Sequence, residues 1–290
     1  MILQIIVTIL YYKVSNIPVY VFLKVVWILP HLTLLQSILS VISGGIVGFI
    51  LGLIGGGGSI LAVPLLLYVV GLRDPHVVIG STALAVSINA FMTLIPHWRS
   101  GNVNWKASIL FAIPGTIGAY VGSIFGKMVN DSDILFLFAI LMIVIAVLML
   151  RPVRQVTAET YSLKVNPMKV IPSGFSTGAI AGFFGIGGGF LIVPGLVFST
   201  GMGMLQAVAA SLFSVGAFGL TTAISYAVSG YVDWYVVLLY IVGGMIGGLL
   251  GVRFASHLGK SKRRLQVVFS SVLILVALYM LYKNLSVVYG

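Results

Sequence analysis

The chain has 290 residues, 60% hydrophobic and 7% charged, with a mean hydropathy of +1.17. A soluble domain carries about 25% charged residues, so this composition excludes a water-covered globule and predicts a polytopic membrane protein. The formal net charge of +11 does not indicate nucleic acid, because the basic residues lie in a few loops between apolar segments. The lack of cysteine excludes disulfides, thiolate metal sites and thiol relays.

Residues 1–31 form an apolar stretch interrupted by Lys13 and Lys24, within which Pro18 and Pro30 frame a short apolar run. It reads as an extra span or an interfacial helix. The start, "MILQIIVTILYYK", lacks a basic leader and a small-residue cleavage site, so no cleavable signal peptide is expected. From residue 32 the chain reads as two repeats, 32–150 and 171–290, joined by a linker at 151–170. The first repeat holds five apolar segments: Leu32–Ile54, Ser59–Gly71, Val77–Ile95, Ala107–Gly126 and Ile134–Leu150. The second holds Ile171–Phe184, Phe190–Thr200, Leu205–Val228, Tyr235–Ala255 and Leu265–Tyr282. A full crossing needs about 20 residues. The second segment of each repeat is too short, and is expected to be a half-helix meeting a glycine turn inside the membrane.

The repeat rests on matching residues. "GFILGLIGGGGSILAVP" (Gly48–Pro64) aligns with "GAIAGFFGIGGGFLIVP" (Gly178–Pro194), a separation of 130 positions. "SGNVNW" (Ser100–Trp105) aligns with "SGYVDW" (Ser229–Trp234), a separation of 129. Gly115, Gly118 and Gly122 then match Gly244, Gly247 and Gly251. Loop charges predict that the repeats are inverted. The linker carries Arg151, Arg154, Lys164 and Lys169, and the loop before Leu265 carries Arg253, Lys260, Lys262, Arg263 and Arg264. Both are expected in the cytoplasm. The counterpart of that second loop holds Lys127, Asp131 and Asp133, and is expected outside. Equivalent loops thus prefer opposite sides, the plan of many transporters. The alternative is a parallel repeat.

Inverted repeats with broken helices hold substrate at the midplane on half-helix ends. The N-terminus of a helix exposes unpaired N–H donors and a partial positive charge. Glycine lets a ligand approach that backbone, since no Cβ intervenes. The candidate anion site is therefore Gly55, Gly56, Gly57, Gly58 and Ser59 with Gly185, Gly187, Gly188, Gly189 and Phe190. Ser81 and Asn89 on Val77–Ile95, and Ser211 on Leu205–Val228, are candidate polar ligands; such groups also serve to hydrogen-bond neighbouring helices. The competing reading is that the glycines only permit tight crossing or a hinge. "GIGGG" (Gly185–Gly189) is not a dinucleotide fingerprint, because no strand precedes it. Asp74, Asp131, Asp133, Glu159 and Asp233 all read as loops or segment ends, which argues against a carboxylate-coupled cation pump. His97 and Arg99 read as interfacial anchors. No metal cluster, nucleophile–base pair or acid dyad is present, so no cofactor, metal or enzymatic activity is expected. The glycine stripes Gly115–Gly126 and Gly244–Gly251 admit packing between the repeats or a homodimer seam.

With "GLIGGGGSILAVP", "GFFGIGGGFLIVP", "SGNVNW" and "SGYVDW" in view, the chain resembles the TauE/SafE family of sulfite and organosulfonate permeases, in the 4-toluene sulfonate uptake permease superfamily. The resemblance covers nearly the whole chain after residue 32. It implies a multi-pass plasma (inner) membrane carrier of a small sulfur-containing anion such as sulfite, thiosulfate or an organosulfonate, with the lipid bilayer as its other partner. The alternatives are a carrier of a non-sulfur organic anion and a membrane binding or assembly subunit that transports nothing.

Overall fold

A computed structural model describes residues 32–150, 166–187, 189–257 and 262–289. The expectations for residues 1–31 and for most of the 151–170 linker lie outside the described residues. All regular structure among the described residues is helical, as the composition requires. The helices are α1 (Leu34–Ile54), α2 (Gly56–Val69), α3 (Pro75–Arg99), α4 (Trp105–Gly126) and α5 (Asp131–Leu150), then α6 (Pro167–Phe184), α7 (Gly189–Thr200), α8 (Met204–Val228), α9 (Trp234–His257) and α10 (Lys262–Tyr289). Among the described residues, six helices are long and apolar enough to cross a membrane: α1, α3, α4, α5, α8 and α9.

The ends follow local chemistry. Thr33 caps α1 in a reciprocal capping box with Gln36. Asp74 and Asn104 cap α3 and α4 by accepting from Val77 and Ala107 amides. α6 starts earlier than the apolar pattern at Ile171, because Asn166 caps it and Pro167 fills its first turn. The arm α2 is not a uniform helix. A 3₁₀ stretch (Gly56–Leu61) passes through one α turn (Ala62–Pro64) into a π turn (Leu65–Val69). Consecutive glycines weaken α propagation and Pro64 removes a donor, which leaves these less regular turns.

The tertiary pairing repeats itself across the two halves. α1 runs alongside α9 without side chains between them. A Cβ on Gly44, Gly48 or Gly52 would land on the backbone of Tyr240, Gly244 or Gly248, respectively. In the counterpart pair, α6 against α4, a Cβ on Gly174, Gly178 or Gly182 would strike Phe111, Gly115 or Ala119. These are the same contacts moved along the chain by 130 positions on one helix and 129 on the other. Small residues at this spacing let two backbones approach closely. Packing between the halves thus absorbs both glycine stripes.

α3 and α8, each of 25 residues, cross at the centre. Ser87 Oγ donates to the Gly216 carbonyl at 2.6 Å, and these residues are counterparts, 129 positions apart. Near the start of α3, Ser81 Oγ accepts from the amide of Asp233, just beyond the end of α8. The two helices therefore run antiparallel. α5 and α10 do likewise, since Asn284 near the end of α10 donates to Ser132 at the start of α5. The centre is filled by Phe111, Phe218, Leu51, Ile60 and Leu66, all fully buried. Ile113, Ile117, Tyr120 and Ile124 on α4, and Leu238, Val242, Ile246 and Leu249 on α9, face outward as apolar ridges, as lipid contact demands.

Candidate functional site

The two glycine turns meet. Gly55 ends α1 with φ 76°, and Gly185 ends α6 with φ 65° in the left-handed region. Gly187 also has a positive φ of 64°. A side chain at any of the three is strained before packing is considered. Beyond these turns the arms α2 and α7 touch where Gly56 faces Gly189: a Cβ on either would overlap the other's backbone. Neither arm reaches the ~20 residues of a full span, so both turns lie within the bundle, enclosed by α3 and α8.

The enclosure is two-fold in its details. A Cβ on Gly55 would meet Val208, and one on Gly185 would meet Ile79, the counterpart of Val208. A Cβ on Gly187 would approach Val215 and its counterpart Val86. Ser211 Oγ accepts from the Gly56 amide at 3.4 Å and donates to the Val208 carbonyl at 2.7 Å. Ser59 Oγ donates to the Gly56 carbonyl at 2.9 Å. Gly55, Gly56, Ser59, Gly185, Gly187, Gly189 and Ser211 therefore share one locus. Gly58 lies behind it, packed on the α1 backbone at Val47 and Leu51. Gly188 and the side chain of Phe190 lie outside the described residues.

Gly57 differs from its neighbours. It is buried, yet among the described residues a Cβ there would meet only Ile54, at 3.4 Å, an ordinary contact. Its φ is not positive. Among the described residues, neither sterics nor backbone conformation requires glycine at this position.

Two candidate side chains stand apart from the turns. Ser81 is committed to the Asp233 amide at the end of the bundle. Asn89 lies one helical turn beyond Val86 on α3 and presses its carboxamide on α9, where any side chain on Gly244 would collide with it. Asn89 is 2% exposed, and neither its Nδ2 nor its Oδ1 has a partner among the described residues. A buried group left so costs roughly 1–3 kcal/mol, which marks a position needing a ligand or water. The structure adds Thr82, which the sequence reading passed over. α3 and α8 correspond at 129 positions throughout, so the counterpart of Ser211 is Thr82, not Ser81. Thr82 Oγ1 donates to the Ile79 carbonyl as Ser211 does to Val208. The equal spacing of the two "SG-V-W" turns was the signal for it.

Comparison with known proteins agrees with this architecture. A family model described as "Sulfite exporter TauE/SafE" matches residues 40–280. A probable membrane transporter protein of Xylella fastidiosa (strain Temecula1) is 46% identical over 87% of this chain and 98% of its own length. The probable membrane transporter protein YunE of Bacillus subtilis is 27% identical over 87% of this chain and 99% of its own. The probable membrane transporter protein MJ0441 of Methanocaldococcus jannaschii is 31% identical over 81% of this chain and 93% of its own. No solved structure matches.

Proposed function

The chain belongs to the sulfite exporter TauE/SafE family, and from that premise we propose that it is a secondary carrier of a small sulfur-containing anion, bound where the two glycine turns meet. The observation that carries this reading is Gly57: a buried glycine at the start of a helical arm, with no neighbour that demands it. The first turn of an arm offers N–H groups that have no partner within the arm, and a partial positive charge. An oxyanion resting there needs no fixed cation and leaves none behind when it departs. Ser59 and Ser211 tie the turns to their surroundings, and Asn89 offers a donor one turn away. The family model's description supports sulfite or a related sulfur oxyanion as the substrate. The antiparallel course of the counterpart helices, taken with the loop charges, supports inverted repeats in the inner membrane.

The test is flux into proteoliposomes over sulfite, thiosulfate, sulfate, methanesulfonate and acetate, for the native chain and Gly57→Ala. Native flux of a sulfur anion, lost in a Gly57→Ala protein that remains folded, is the expected result. Acetate as the best substrate would overturn the sulfur reading. The crowding of Gly56 on Gly189 favours a second reading, in which the glycines serve packing alone. That reading requires Gly57→Ala to retain full flux, since the alanine methyl has room.

A further inference from the structure

A polar cluster closes one end of the bundle, and the glycine site makes no use of it. At the end of α4, Lys127 Nζ donates to the Ser225 carbonyl at 2.9 Å and to Ser229 Oγ at 3.0 Å. Its ammonium lies 5.8 Å from the centre of the Tyr226 ring. His76, at the start of α3, meets the same ring edge-on at 6.2 Å and lies tilted 5.4 Å from the Tyr231 ring. Its Nε2 stands 3.6 Å from the Asp131 carboxylate at the start of α5. Among the described residues, two buried polar atoms here have no partner: His76 Nδ1 and Tyr226 Oη, on residues that are 9% and 0% exposed. The counterpart of Tyr226, at the far end of α3, is His97, which is also buried and also has an unpartnered atom, Nε2.

We propose that Lys127, His76 and Tyr226 form an anion-docking site at this end of the bundle, for which the exposed Asp131 competes as an internal counter-anion. The lysine keeps a third N–H beyond the two already bonded. Tyr226 Oη supplies a donor with no partner among the described residues, and His76 offers the N–H of Nε2 that now faces Asp131. An arriving oxyanion takes the place of Asp131 beside His76 and waits there before it descends. This deepens the carrier reading above, because a docking site of this kind serves a protein that passes anions.

The chain has no cysteine, so a Ser229→Cys variant carries one reporter thiol beside Lys127. The measurement is its rate of modification by a neutral maleimide, in detergent-solubilised full-length protein, against rising sulfate or methanesulfonate. Saturable protection by at least one of the two anions is expected. Adding Lys127→Met or His76→Gln should raise the half-protecting concentration about tenfold, the scale of losing one partly screened charge contact or donor. Lys127→Arg should restore protection, which separates loss of charge from loss of fold. Asp131→Asn should lower the half-protecting concentration, opposite in sign. No protection by either anion, or protection equal in the Lys127→Met and native backgrounds, overturns the proposal. Labelling needs no transport, so absent flux would sink the carrier reading and leave this result to stand or fall alone.

Discussion

At the scale of single residues, adjacent glycines answer to different constraints. Gly56 and Gly189 occupy the same narrow space, so Gly56→Ala should lower stability by about 1–3 kcal/mol, the usual range for overpacking. Thermal unfolding in detergent reads this directly. Gly57→Ala should leave the unfolding temperature near native and lower flux. Asn89→Leu makes the complementary case. It removes two buried atoms with no partners at nearly constant volume, so stability should hold or rise by up to about 1 kcal/mol while flux falls. A drop in both would make Asn89 a structural residue. The glycine residues of the site were legible in the sequence because their duplication singled them out. What separates Gly57 from Gly56 was not, since it depends on which backbone crosses from the other half. Asn89 was visible only as a polar residue in an apolar run; its lack of a partner is a property of α9, which meets it with Gly244.

At the scale of helices, the pairs α1–α9 and α4–α6 are duplicates of one interface. Gly48→Ala and Gly178→Ala occupy counterpart positions and would each strike a carbonyl oxygen of the facing helix, that of Gly244 and Gly115. They should destabilise by similar amounts, about 1–3 kcal/mol each, and nearly additively, because they lie in separate pairs. Unfolding midpoints of the two single variants and the double variant check this. A large difference between the singles would mean that the repeat is chemical but not mechanical. The long helices were legible from unbroken apolar runs, and α4 and α9 from their glycine spacing. The mixed geometry of α2 was not. Its 3₁₀ and π turns reflect the lost donor at Pro64 and the demands of a largely buried arm, which no periodicity records.

At the scale of the whole molecule, the antiparallel course of α3 and α8 has a direct test. Ser100 and Ser229 end these two helices at counterpart positions, and both are exposed. In cells, Ser229→Cys should react with a membrane-impermeant maleimide from outside, and Ser100→Cys only after permeabilisation. Labelling of both from one side would exclude inversion in the membrane. The loop charges alone carried that expectation, whereas the direction of each helix against its counterpart needed contacts such as Ser81 with Asp233. The Ser87–Gly216 bond has one further consequence. If the halves trade conformations, contacts are exchanged for their counterparts, but this bond has none, because Gly216 carries no hydroxyl to donate to the Ser87 carbonyl. The single hydroxyl of this counterpart pair would make the two extremes of such a rocking motion chemically unequal.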